Sequence, residues 1–172
     1  AAYDVKPVSY LGNLVGHEGE GSLLSQLKSA GLAEGLSAGS GLAWAGGGMF
    51  SVSITLTEQG VADYEQVLQL FFAYMDMLRD AGAQPWLYSE QARLADLSFR
   101  FKQETDPINY VSGVAAGMHH FSPVDVLRGP YMMDRYDEAM INSLLQQVTA
   151  SNVLITLSDK SVVTNEVSPY YQ

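Results

Sequence analysis

The residues best placed to do chemistry lie in the run His17-Glu18-Gly19-Glu20-Gly21. It imitates the opening of the zinc-peptidase pattern H-E-x-x-H, which needs two histidines one helical turn apart so that both imidazoles face one metal. The second histidine position here is Gly21, which has no side chain to offer. The other histidines, His119 and His120, are adjacent, and on a helix adjacent side chains point about 100° apart. They cannot share a metal by themselves, and we expect one of them to be buried or to cap a helix C-terminus, where positive charge is favoured. No residue is assigned as catalytic and none as a metal ligand.

Other catalytic arrangements fare no better. The chain has no cysteine, so thiolate chemistry and disulfides are out. Serines are plentiful but none stands in a G-x-S-x-G elbow, leaving a spatially assembled Ser/His/Asp set as a minor third reading. Glu18 and Glu20 could act as an acid–base pair. They more readily serve a helix opening near Gly21-Ser22, where negative charge and capping are useful.

Peptide binding suits these residue types better. Glycines 12, 16, 19 and 21 would let another chain come close to the backbone, although glycines also serve turns and helix packing. A carboxylate at Glu18 could hold a peptide α-amino group. An edge strand at residues 36–40 could accept an extended peptide through main-chain bonds.

The elements that must position these residues follow from periodicity. Leu11, Leu14 and Val15, then Leu23, Leu24 and Leu27, predict two helical segments around a glycine-rich break. A short strand is expected at residues 34–40, glycines 46–48 form a turn, and Phe50, Val52, Ile54 and Leu56 alternate with polar residues in a half-buried strand. A long helix begins at Thr57 and carries Val61, Tyr64, Leu68, Phe71, Met75 and Leu78 on one face, ending at Gly82. Pro85 opens the next helix, with Leu94, Leu97 and Phe101 as its apolar positions. Further helices are expected from Asp106-Pro107 to His119, briefly after Ser122-Pro123, and from Tyr136 through Met140 and Leu145. Residues 153–157, Val-Leu-Ile-Thr-Leu, read as a last strand. The order gives an α+β fold, an antiparallel or mixed sheet with helices mainly on one face, in a single domain spanning 1–172.

The 172 residues carry 19 acidic and 9 basic side chains, a formal net charge of −10. A nucleic-acid backbone or an anionic lipid surface demands the opposite sign, so neither nucleic acid nor membrane is an expected partner. No apolar run approaches the roughly 20 residues of a membrane span.

The run from Tyr10 to Gly31, with Met49-Phe-Ser-Val-Ser-Ile-Thr-Leu-Thr-Glu-Gln-Gly60, Leu97-Ser-Phe-Arg-Phe-Lys102 and Asn152-Val-Leu-Ile155, resembles in order the second, non-catalytic domain of pitrilysin- and insulin-degrading-enzyme-like zinc metallopeptidases (insulinase family, inverted H-x-x-E-H motif). The resemblance implies an excised second domain of the N-terminal half of such an enzyme, truncated at its N-terminal strand. Such a domain would complete a chamber wall and position a peptide. Zinc would belong to the catalytic domain of the parent, with no cofactor in this fragment. Partners would be the peptide substrate and the missing catalytic and C-terminal-half domains, with an exposed sheet edge open to self-association. The location would be periplasmic or secreted. Substrate-binding positions carried over by the resemblance are Gly12, Asn13, Gly16, Glu18, Leu36, Ala38 and Ser40. Asn13 stands where insulin-degrading relatives have histidine, Ala38 replaces a glycine and Ser40 a glutamine, so a main-chain role survives better than side-chain specificity. The alternative is a stand-alone peptide-binding or assembly module without an enzymatic parent.

Because Gly21 supplies no ligand and His119 and His120 diverge, the purified chain should hold far less than one equivalent of zinc and cleave no fluorogenic peptide. Near-stoichiometric zinc by elemental analysis, with chelator-sensitive cleavage, would contradict this.

Overall fold

A computed structural model describes residues 2–172 apart from 45, 161, 162, 164, 165, 167, 171 and 172. The described elements are α1 (Pro7–Val15), α2 (Leu23–Ser29), β1 (Ala33–Trp44), β2 (Gly47–Leu56), α3 (Glu58–Ala62), α4 (Tyr64–Ala81), α5 (Pro85–Arg100), α6 (Pro107–Gly117) and α7 (Glu138–Leu145), with 3-10 turns at Ala2–Asp4 and Gly129–Tyr131. The fold is α+β, built on an antiparallel pair of strands with helices packed on one face.

Local chemistry explains most boundaries. Pro7, Pro85 and Pro107 each open a helix, where the missing N–H is no loss and φ is already helical. Ser22 caps α2 by accepting from Ser25 N, and Asp106 caps α6 by accepting from Ile108 and Asn109 N. Asp137 does the same for α7 through Met140 N. Each cap satisfies a backbone donor that has no intrahelical partner.

β1 and β2 pair with Leu36 opposite Ile54, Ala38 opposite Val52 and Ser40 opposite Phe50. Leu36 and Ala38, with Phe50, Val52, Ile54 and Leu56, turn toward the helices and pack on the core. Ser37, Ser51, Ser53 and Thr55 line the other, exposed face, the division that period-2 alternation demands. The core lies between this sheet face and the helices. Tyr10, Leu11 and Val15 of α1, Leu23, Leu24 and Leu27 of α2, Val67, Phe71, Met75 and Leu78 of α4, and Ile141 and Leu145 of α7 meet there.

Four expectations need correction. The long helix from Thr57 breaks at Asp63 (φ −110°, ψ 33°), giving α3 and α4. α3 is tied to the chain before β1, with Thr57 N donating to Leu32 O and Thr57 Oγ1 to Gly31 O, whereas α4 follows the core. Secondly, α5 buries Tyr88 and Gln91, while its expected apolar face is open: Leu94, Leu97 and Phe101 are 54%, 49% and 76% exposed. Thirdly, residues 153–157 form no strand, because no described strand lies beside them to complete a ladder; they are exposed. Fourthly, the segment after Ser122-Pro123 is a run of turns leading to the 3-10 turn at Gly129–Tyr131. Pro130, lacking an N–H, and Gly129 within that stretch both disfavour longer helix.

Three tyrosines, Tyr10 and Tyr88 buried and Tyr136 partly buried, knit the remote parts together. Tyr88 Oη donates to Arg135 O at 2.9 Å and Asp4 O at 3.3 Å, Tyr136 Oη donates to Ala83 O at 3.0 Å, and Tyr10 Oη accepts from Gln84 N at 2.9 Å. Burial, aided by the nearby Asp4 and Asp134 charges, pushes the Tyr88 hydroxyl up to about 12, so it remains a donor. Outside it, Arg135 bridges Asp4 (2.9 Å) and Asp137 (2.7 Å). The Arg135 bond holds the Asp4 carboxyl below its ordinary range. The Met140 amide first, then Arg135, does so for Asp137.

Two tests follow from this packing. A methyl group on Gly60 would drive into the Leu32 carbonyl, whose carbon lies 2.9 Å from the Cβ position, whereas nothing lies within 4 Å of one on Gly113. Helix propensity alone favours alanine over glycine by about 1 kcal/mol. Gly113→Ala should therefore stabilise α6 slightly, while Gly60→Ala should destabilise the fold by about 2–3 kcal/mol in denaturant titrations. Equal effects at the two sites would refute the close approach.

The second concerns pH. Asp4 and Asp137 have depressed folded-state values, so their stabilisation is present above the ordinary carboxylate range, about pH 4, and is lost as pH falls through the lower folded values. Arg135→Met should lower Tm at pH 7, with the difference from the parent chain closing below about pH 3. A gap that stays constant from pH 7 to pH 2.5 would rule out the linkage.

Candidate functional site

A close backbone-to-backbone contact joins α1 to β1. A Cβ on Gly12 would lie 3.0 Å from Ala38 O and 3.1 Å from Gly39 Cα, and one on Gly16 would lie 3.5 Å from Ala38 N. Helix backbone therefore rests almost directly on strand backbone. The glycines do permit the close approach of a chain, and that chain is this protein's own β1.

Around this contact the seven positions suggested from sequence divide into three groups. Gly12, Gly16 and Ala38 are brought together. Leu36 is buried at 8% exposure and belongs to the core. Asn13, Glu18 and Ser40 are exposed on the rim. β1 pairs with β2 along one side; its other side has no strand partner among the described residues. The exposed rim and the open side of β1 are compatible with an extended peptide, whose backbone would need only main-chain groups.

The loop between α1 and α2 is organised by a residue outside that set. His17 Nδ1 accepts from Gly19 N at 3.0 Å, so its proton, when neutral, resides on Nε2. A Cβ on Gly19 would meet His17 Cε1 at 2.5 Å, and glycine there lets the ring fold over the turn. Glu18, between them, makes no side-chain hydrogen bond among the described residues, and the α2 cap is Ser22. The helix-capping reading of Glu18 is thus replaced by Ser22, whose hydroxyl sits one residue before Leu23. The H-x-G spacing was the sequence feature that could have shown the His17 turn.

Little else in the molecule is arranged for chemistry. Among the described residues no group of three or more His, Asp or Glu converges as metal ligands would. His119 and His120 are both exposed, and their backbone amides, not their rings, close the end of α6 by donating to Ala116 O and Gly117 O. The expectation of a buried or capping histidine side chain fails because that turn satisfies the carbonyls itself. Ser122 Oγ and Tyr3 Oη both donate to Asp125 Oδ2, at 2.7 and 2.9 Å, a structural clasp in which no histidine takes part.

Comparison with known proteins gives this arrangement its context. Residues 1–94 match a family model described as the peptidase M16 inactive domain, and residues 99–172 one described as the middle or third domain of peptidase M16. Human insulin-degrading enzyme is 35% identical over 159 residues, covering 92% of this chain and 16% of that protein. The peroxisomal insulin-degrading enzyme-like 1 of Arabidopsis thaliana is 32% identical over 171 residues, covering 98% of this chain and 18% of that one. The crystal structure of pitrilysin superposes with a TM-score of 0.84 at 30% identity, covering 88% of this chain and 16% of the pitrilysin chain. The chain thus spans less than a fifth of the length of the relatives it matches. With more than half of its residues matched to the inactive-domain model and the fold superposing on part of pitrilysin, the chain belongs to the M16, or insulinase, peptidase family as a non-catalytic segment.

Proposed function

We propose that this chain forms part of the chamber wall of a larger M16-type zinc metallopeptidase and positions an extended peptide there. In this reading the chain derives from the second domain of the N-terminal half and leads toward the next. The observation that carries it is the α1–β1 backbone contact beside a side of β1 that has no strand partner among the described residues, with Glu18, Asn13 and Ser40 exposed around it, in a chain of this family.

The residues here do not fit a zinc site: His17 and Glu18 lack a second histidine at Gly21, and His17 Nδ1 is engaged by Gly19 N. Zinc is assigned to another part of the parent. The contribution of this segment is positional. A peptide paired along β1 would gain main-chain bonds that tolerate many sequences. Its α-amino group would meet the exposed carboxylate of Glu18 in a charge-assisted bond. Holding one end of the substrate lowers the entropic part of the barrier at the scissile bond. Ser40 presents a small, exposed side chain along that strand, while Ala38 packs toward α1. The resemblance to pitrilysin is the ground for proposing a periplasmic or secreted location.

In the full-length parent, Glu18→Gln should lower kcat/KM for a peptide with a free amino terminus about 5- to 20-fold, in line with about 1–2 kcal/mol for a charge-assisted bond, and leave the acetylated peptide unaffected. An unchanged ratio between the matched peptides would sink the anchoring role.

A further inference from the structure

Helix α6 has an unusual surface. None of its residues is buried, yet Ile108, Val111 and Met118 are apolar and 74%, 64% and 61% exposed. No Asp, Glu, Lys or Arg occurs between Asp106 and Asp125. A helix with no charged residue and several exposed apolar side chains is suited to packing against further protein. At 11 residues α6 is far too short to cross a bilayer, which takes about 20. The preceding helix continues the pattern, since Leu94, Leu97 and Phe101 recur at i, i+3 and i+7, the spacing of one helical face, and that face is open.

A second element of the same segment is also incomplete. Val153, Leu154, Ile155 and Leu157 are 46%, 80%, 49% and 37% exposed. Their composition suits a strand within a sheet, but among the described residues no strand lies beside them. Isolated exposed apolar residues need no explanation, whereas an uncharged helix, a neighbouring stripe and a strand-like run together do.

We infer that the open face of α5 and α6 and residues 153–157 are parts of an unfinished core, covered in the longer protein by polypeptide that follows residue 172. The occupant is the same chain for two reasons. The match to the middle or third domain begins at residue 99, after a boundary at residues 95–98 that lies inside α5, so the α5 stripe straddles it and α6 and residues 153–157 lie beyond it. Relatives also carry more than four-fifths of their length outside the matched segment. A second copy is disfavoured, since each copy would bring a formal net charge of −10. The inference rests on the reading of a longer parent, though not on that parent's catalysis.

Hydrogen exchange at residues 107–118 and 153–157 tests it, in this 172-residue chain and in the full-length protein. Exchange should slow at least about 100-fold in the longer protein, as expected when exposed elements join a cooperative core. Val111→Asp should leave the Tm of this chain within about 1 °C and lower that of the longer protein by several degrees. Equal exchange in both would overturn the inference. So would a concentration-dependent dimer that Val111→Asp abolishes and that persists at full length, because a second copy would then be the occupant. A full-length protein that protects these residues but cleaves no peptide would refute the proposed function and leave this inference standing.

Discussion

Helix α1 can lie this close to the sheet because Gly12 carries no side chain. Any Cβ at Gly12 would press on the Ala38 carbonyl and the Gly39 Cα, both backbone atoms that cannot rotate away. The approach sets the depth of α1, and with it the burial of Tyr10, Leu11 and Val15. Those side chains make up the layer on which α2, α4 and α7 converge. Close-packed interiors transmit displacements of this kind, since there is little free volume to absorb them. Asn13 and Ser40 of the candidate peptide rim therefore stand on elements held by the core, while Glu18 stands in the loop that the His17–Gly19 turn organises.

The N-terminal segment is held at a second place by different physics. Asp4 accepts from the amides of Asp134 and Arg135 through its carbonyl, and its carboxylate meets the Arg135 guanidinium. Beneath these lies the Tyr10–Tyr88–Tyr136 cluster, with ring centroids 6.2 and 5.4 Å apart. Buried phenols are tolerated because each hydroxyl finds a backbone partner. The exposed ion pairs add little by themselves, but they sit over bonds linking residues more than a hundred positions apart.

Two family models divide the chain within α5, yet the packing does not divide there. Ile141 and Leu145 of α7 share a core with α1 and α4, Asn142 accepts from Ala83 N at 3.0 Å, and Arg79 donates to Val148 O at 2.8 Å. The segment matched to the third domain thus contributes one helix to the body of the preceding one, while α6 and residues 153–157 are left without cover. A chain that joins one domain to the next would have this character, with part of it buried on each side.

From sequence alone the helices opened by Pro7, Pro85 and Pro107, the alternating strand at 50–56 and the leucines of α2 were legible, because each is set by local dihedral preference or by a period of 3.6 or 2. So was the family, through ordered motifs. The absence of a second ligand at Gly21 was equally a property of residue types. Tertiary structure decided the rest. An apolar stripe states that a face needs cover and not whether cover is present, so Leu94, Leu97 and Phe101 read as core but stand open. A strand pattern at 153–157 requires a neighbour that no local rule supplies. Glycines at 12 and 16 permit any close approach, and only the folded chain shows that the approaching backbone is Ala38–Gly39. Gln91, a polar residue in a helix, gave no sign that it would be buried beside Tyr88 on the inner face of α5, because burial is fixed by which elements meet and not by the character of one side chain.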